Sequence, residues 1–189
     1  MFSVIFPGQG SQSIGMTKEL YDNFTYIKDL FKQADDELGY SISKIILEGP
    51  KEDLDLTENT QPAIFLASYS IFEMIKKEKD IKLDNAKYFA GHSLGEYSAL
   101  ATSGSLDFKN AIKLLNERGK AMQTAVPKGT GGMLAVLGIN INEINDLLEE
   151  NKNNYKCYIA NDNSNGQIVL SGLNSVSYTH LTLPTKRIV

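Results

Sequence analysis

The sequence predicts an α/β protein: a large domain on a parallel sheet, joined to an incomplete ferredoxin-like small domain. Three observations predict this. Short apolar strand-like runs alternate with long helical patterns. A G-x-S-x-G stretch, "GHSLG" at residues 91 to 95, falls between a strand pattern and a helix pattern. Beyond a Gly-rich stretch near residue 126, the pattern becomes β-α-β-β, the opening of a split βαβ unit.

The elements follow in order. Residues 2 to 6, "FSVIF", read as a buried strand, and "PGQGSQ" as a turn or loop. From Thr17, the apolar residues Leu20, Phe24, Ile27, Phe31, Ala34 and Leu38 recur at helical spacing, and Gly39 is a stop signal. "TQPAIFLASYSIFEMIKKEK", residues 60 to 79, is a second helix, apolar over much of its face, with Pro62 placed in its first turn. "AKYFA" is a short strand, and "SLGEYSALATSG" opens a helix behind it. A third long helix begins after Asp107, a suitable N-cap. "VPKGTGG", residues 126 to 132, reads as a hinge; without a following G-K-[ST] it is not a phosphate loop. Then come a strand "MLAVLGI", a helix "NEINDLLEEN", a strand "YKCYIA", a turn "NDNSNG" and a strand "QIVLSG". The boundaries drawn are 1–126 for the large domain, 127–174 for the partial small domain and 175–189 for a tail.

Composition excludes several classes. The 189 residues carry a net charge of −4, which leaves no basic footprint for nucleic acid. No uninterrupted apolar run is long enough to cross a bilayer, and the N-terminus lacks the basic start of a signal peptide. The single cysteine, Cys157, permits no internal disulfide, fits a reducing compartment and reads as a packed structural thiol. The cytoplasm is the expected location.

The G-x-S-x-G stretch carries the chemistry. Strand, sharp turn and helix in that order form a nucleophile elbow, and Gly91 and Gly95 supply the small flanks that the turn needs. The turn lifts the Ser93 hydroxyl clear of the sheet, and the backbone N–H of Leu94 can receive a developing oxyanion. His92 adjoins Ser93, but neighbours on a sharp turn diverge, so it reads as a structural hydrogen-bonding group. Taken alone, Arg118 reads as a solvated helix charge and Gln9 as a turn residue.

Together, "FPGQGSQ", "GHSLGEYSAL", "ERGKAMQ" and "ANDNSNGQIVLSG" resemble the malonyl-CoA:acyl-carrier-protein transacylases and the acyltransferase domains of fatty acid and polyketide synthases. The resemblance implies a hydrolase-like large domain with the ferredoxin-like small domain inserted in it. It implies Ser93 as the acyl-accepting nucleophile and Gln9 with the Leu94 N–H as the oxyanion hole. Arg118 would grip the malonyl carboxylate, and Asn161 would lie near the site. An arginine there matches the chemistry: a bidentate pair neutralises the carboxylate, and an acetyl group would leave the desolvated guanidinium unpaired. The implied reaction is ping-pong transfer of malonyl from malonyl-CoA, through a seryl ester, to the phosphopantetheine thiol of an acyl carrier protein. No bound cofactor or metal is implied, and a monomer is expected at full length. A small domain closing over the cleft would keep water from the ester.

The resemblance stops near residue 174. The family's general-base histidine follows the small domain, whereas the two histidines here are His92 and His180. His180 lies in "SVSYTHLTLPTKRIV", which departs from the family pattern and resembles a translated cloning scar. The chain is therefore expected to be truncated and catalytically incomplete. The alternatives left open are a polyketide synthase acyltransferase domain, a serine esterase, and a non-catalytic fragment that binds acyl-CoA or carrier protein.

Overall fold

The structure is a computed structural model that describes residues 1–79, 81–125, 130–153 and 156–173. The chain divides into two compact units, Met1–Thr124 and Ala125–Val189.

In the first unit, strand β1 (Ser3–Phe6) pairs in parallel with β2 (Tyr88–Gly91), Ser3 facing Tyr88 and Phe6 facing Gly91. Parallel neighbours need a crossover. It is made by helices α1 (Lys18–Asn23), α2 (Thr25–Leu38), α3 (Ile42–Glu48), α4 (Lys51–Leu54) and α5 (Thr57–Glu78). Behind β2 come α6 (Gly95–Thr102) and α7 (Phe108–Ala125). Strand alternation turns Val4, Phe6 and Phe89 toward Phe72 of α5 and Ala99 of α6. The opposite face carries Ile5 and Tyr88, which are 76% and 59% exposed. The expectation of a buried first strand is thus corrected for one face: the helices of this unit cover only the face that carries Phe6.

The helix expected from Thr17 to Leu38 is two helices. Phe24, at φ −123° and ψ 116°, ends α1 and begins α2. The apolar spacing runs through the break because Leu20, Phe24, Ile27 and Phe31 all pack on one cluster. Periodicity records which residues face the core and is blind to a kink that preserves that facing. Gly39 ends α2 as expected, in the left-handed region at φ 75°, its N–H donating to Asp35 O at 2.9 Å. α3 and α4 have no predicted counterpart. Asp35 organises the start of α3 by accepting from the Ser43 N–H (2.9 Å), the Ser43 hydroxyl (2.5 Å) and the Ser41 hydroxyl (3.1 Å).

Helix α5 begins at Thr57 rather than Thr60, which puts Pro62 beyond the first turn. Its missing N–H strips the Glu58 carbonyl of its helical donor. Asn116 of α7 supplies a replacement: its Nδ2 donates to Glu58 O at 3.1 Å and to the Tyr40 hydroxyl at 3.0 Å. Tyr40 donates to Asn59 Oδ1 at 3.0 Å, and Asn59 Nδ2 donates to Asp53 O at 2.9 Å. Burial, together with Glu58 and Asp35 nearby, pushes the Tyr40 hydroxyl up to about 12, so it stays a donor. Beside this network the backbones of α5 and α7 touch: a Cβ on Gly119 would lie 2.5 Å from Glu58 Cα. Asp107 caps α7 as expected, its carboxylate accepting from the N–H groups of Lys109 (2.9 Å) and Asn110 (3.1 Å). Phe31, Phe65, Leu66, Leu94, Ile112 and Leu115 form the fully buried centre of the unit.

In the second unit, β3 (Gly131–Leu137), α8 (Ile141–Asn151), β4 (Cys157–Ser164) and β5 (Gln167–Leu173) form the expected β-α-β-β run. The sheet is antiparallel in the order β3-β5-β4. Asn140 caps α8, its Oδ1 accepting from the Glu143 N–H at 3.0 Å. Two expectations are corrected. Gly131 and Gly132 belong to β3 rather than to a hinge, while residues 126–129 lie outside the described residues. The turn expected at 161–166 shrinks to Asn165-Gly166, with Gly166 at φ 83°, because β4 runs on to Ser164 through two bulges. Burial pushes the half-buried Cys157 thiol up, as suits a packed rather than a reactive cysteine. The tail expected over 175–189, including His180, lies outside the described residues.

Two outcomes test this account. Gly119→Ala should destabilise the first unit by about 1–3 kcal/mol, because the new methyl meets backbone that cannot step aside; denaturant midpoints measure it. Glu37 is held below the ordinary carboxylate range by hydrogen bonds from Lys113 and Lys109. Its contribution is therefore present above the unfolded-state value and is lost as pH falls through the lower folded one. The melting temperature gap between wild type and Glu37→Gln should shrink as pH falls through that range, and also with added salt.

Candidate active site

The site begins with a steric requirement. A Cβ on Gly91 would lie 1.9 Å from the Gly95 carbonyl carbon, and one on Gly95 would lie 2.6 Å from Phe6 O. With both side chains absent, α6 starts directly against the ends of β1 and β2. The chain makes the turn by putting Ser93 at φ 54°, a left-handed conformation rare for a non-glycine residue. Such strain persists only where the surroundings hold it. They do so here: the His92 N–H donates to Phe6 O (3.2 Å), the Gly95 N–H to His92 O (2.9 Å) and the Glu96 N–H to Ser93 O (3.1 Å). None of these turn bonds uses the Leu94 N–H, and the Leu94 side chain is fully buried, which anchors that amide.

Ser93 itself is exposed. Arg118, on α7, reaches it: Nη2 donates to the Ser93 hydroxyl at 3.1 Å. The other arm of the guanidinium, Nη1, donates to Gln61 Oε1 at 2.5 Å. Gln61 is 1% exposed, and its Nε2 points to Met122 Sδ at 3.6 Å. The sequence reading did not single out Gln61. The signal was an amide inside the apolar run "TQPAIFLAS", on a helix whose neighbouring side chains are buried.

The Gln9 loop lies against the same elbow. A Cβ on Gly8 would meet His92 Nδ1 at 2.6 Å, so the imidazole packs on that loop. Ser11 donates to Gly8 O at 2.9 Å, and the Gly10 N–H donates to Gln12 Oε1 at 2.8 Å, which shapes the loop around Gln9. Gln12 ties it to the C-terminal cap of α4 by donating to Asp55 Oδ1 at 2.9 Å. Ser93, Leu94 and Arg118 thus come together, with the Gln9 loop against them. Asn161 sits in the second unit, on β4 opposite Val169, rather than in the turn expected for it. Among the described residues no cluster of His, Cys, Asp or Glu could hold a metal ion, and no helix is long and apolar enough to cross a membrane.

An exposed hydroxyl at a strained turn, a helix N-terminus beside it and a tethered guanidinium within reach suit attack on an acyl carbon bearing a nearby negative charge. The comparisons point the same way. Residues 3–178 match the family described as acyl transferase domain. The chain is 44% identical over 171 residues to the malonyl CoA-acyl carrier protein transacylase of Haemophilus influenzae, covering 90% of this chain and 54% of that one. It is 46% identical over 171 residues to the Bacillus subtilis protein of the same name, covering 89% and 52%. Among solved structures, a type II polyketide synthase acyl-carrier protein in complex with its malonyl-transacylase matches with a TM-score of 0.84 at 40% identity, covering 94% of this chain and 56% of that one. The malonyl CoA-acyl carrier protein transacylase of Coxiella burnetii matches with a TM-score of 0.83 at 41% identity, covering 92% and 54%. The chain spans about half the length of the curated relatives it matches. With a family match across most of its length and an elbow of the form described, the chain belongs to the acyl transferase domain family.

Proposed function

We propose that the whole protein acts as an [acyl-carrier-protein] S-malonyltransferase, moving a malonyl group from CoA to the phosphopantetheine thiol of an acyl carrier protein, and that this chain, catalytically incomplete by itself, contributes the nucleophile, the oxyanion hole and the acyl grip. The observation that carries this reading is the contact between the Arg118 guanidinium and the Ser93 hydroxyl. The names of the relatives support it. In the first half-reaction Ser93 Oγ attacks the thioester carbonyl of malonyl-CoA, the C–S bond breaks and CoA leaves as its thiol. The carrier protein's thiol then attacks the seryl ester and returns the proton to Ser93. The Leu94 N–H and Gln9 receive the oxyanion in both steps.

Arg118 takes the malonyl carboxylate through the arm that otherwise meets Ser93, while Gln61 retains the other arm. A guanidinium already aimed and half-satisfied loses little freedom on binding, so more of the ion-pair energy appears as selectivity. An uncharged acyl group would leave that arm without a partner. A serine esterase has no use for such a group, so the geometry favours the transferase. The reading assigns His92 to packing rather than proton transfer, and His180 lies outside the described residues. Fatty acid and polyketide carrier proteins both suit this chemistry; one relative, from Bacillus velezensis, is a polyketide biosynthesis transacylase at 41% identity. The proposal places the protein in the cytoplasm, where a lone cysteine stays reduced.

Malonyl-CoA added to the protein should give an intact-mass increase of one malonyl group, located on Ser93 by peptide mapping and absent in Ser93→Ala. A folded sample that never gains the adduct would overturn the reading. Arg118→Ala should lower malonyl transfer on the order of 100-fold and leave transfer of an acetyl group little changed or improved; equal loss for both substrates would remove the assigned role of the guanidinium.

A further inference from the structure

We infer that Asn116 is a positioning residue for the acyl-carboxylate grip: by filling the gap that Pro62 leaves in α5, it sets the register between α5 and α7 on which the aim of Arg118 depends. The inference rests on the reading of Arg118 given above. Arg118 lies two residues beyond Asn116 on α7, and its support, Gln61, precedes Pro62 on α5. The aim of the guanidinium therefore depends on how these two helices meet, and they meet at one tight crossing. There Gly119 leaves no room for even a methyl group between the backbones.

Contact alone does not set register, because two smooth surfaces can slide. The hydrogen bonds do. Pro62 cannot donate to Glu58 O, and a partly buried carbonyl left without a donor at a tight crossing is unfavourable. Asn116 is 4% exposed and spends one amide hydrogen on that carbonyl (3.1 Å) and the other on the Tyr40 hydroxyl (3.0 Å). Tyr40 cannot shift to follow a sliding helix, since its own hydrogen goes to Asn59 Oδ1 (3.0 Å). Asn59 is in turn held on Asp53 O (2.9 Å). Both hydrogens of Asn116 thus have fixed acceptors, and α7 has one position along α5 that satisfies them. The same position brings Arg118 Nη1 to Gln61 and leaves Nη2 reaching Ser93. Proline in this helix interior opens a socket that a side chain from α7 fills, and the socket is a registration mark.

The test compares malonyl-CoA with acetyl-CoA on the same sample of the full-length protein. The ratio of the two kcat/KM values cancels any change in the folded fraction. Asn116→Leu keeps the number and branching of the side-chain heavy atoms and removes both donors. It should lower the malonyl-to-acetyl ratio about tenfold, because a small misplacement of a positioning group costs that much or more. Pro62→Ala restores a backbone donor for Glu58 O, so the ratio should recover at least partly in the double variant Pro62→Ala with Asn116→Leu. A merely structural role would lower both substrates alike and leave the ratio unmoved. Should Asn116→Leu yield no soluble protein, Tyr40→Phe removes one of the two acceptors and should lower the ratio in the same direction. An unchanged ratio in Asn116→Leu, or in Tyr40→Phe where that variant stands in, overturns the inference. Arg118→Ala in parallel separates the two levels: if it lowers the ratio and the Asn116 and Tyr40 variants do not, the positioning role fails alone; if it too leaves the ratio unmoved, the reading of Arg118 fails first.

Discussion

The first unit is organised around the places where backbone must touch backbone with no side chain between. Gly91, Gly95 and Gly119 mark them. The first two let the start of α6 close onto the ends of β1 and β2, and this closure forces Ser93 into the left-handed region. The third lets α7 close onto the N-terminal turns of α5, so that the Arg118 guanidinium of one helix meets the Gln61 amide of the other with one arm and the Ser93 hydroxyl with its second. Without both closures the serine would be an ordinary surface residue and the arginine an ordinary helix charge.

Close approach needs satisfied polar groups to be tolerated, and the unit supplies them from unexpected quarters. The Glu58 carbonyl is served by a side chain from another helix, and the buried hydroxyl of Thr60 donates to Leu54 O at 2.6 Å. The chain Asp53, Asn59, Tyr40, Asn116 and Glu58 crosses four segments: Asn116 donates both to Glu58 O and to Tyr40, Tyr40 donates to Asn59, and Asn59 donates to Asp53 O. In a low-dielectric interior such a chain specifies one arrangement strongly, since each broken link leaves an unpaired group. The apolar cluster around Phe31, Phe65 and Leu115 drives collapse but is tolerant of small slides. The polar chain is not.

The two ends of the proposed reaction are held by different means. The turn around Ser93 is set by backbone bonds and by the absence of a Cβ at Gly91 and Gly95. The aim of Arg118 is set by side chains on helices, which sequence drift can adjust. On the proposed reading, the nucleophile and the acyl grip are therefore held independently: changes at the packing of α5 against α7 would act on the grip and leave the elbow in place.

The residue pattern by itself determined the elements whose causes are local. Gly39 as a stop and Asp107 as a cap follow from one or two residues each, and the strand-turn-helix around Ser93 is legible because glycine spacing is local chemistry. The β-α-β-β run of the second unit is legible for the same reason. The break at Phe24 was not, because both halves turn the same faces inward and leave the period intact. The run of Asn161 into a strand was not, because "NDNSNG" has turn composition while its neighbours supply ladder partners. Gln61 and Asn116 stayed hidden for a deeper reason. Gln61 shows locally only as an amide in an apolar run and Asn116 as an ordinary polar helix residue, and the partner that gives each its role lies more than fifty positions away in the chain. Only the tertiary structure could reveal them, because a hydrogen bond between helices depends on the distance between axes, and that distance is set by packing rather than by local sequence.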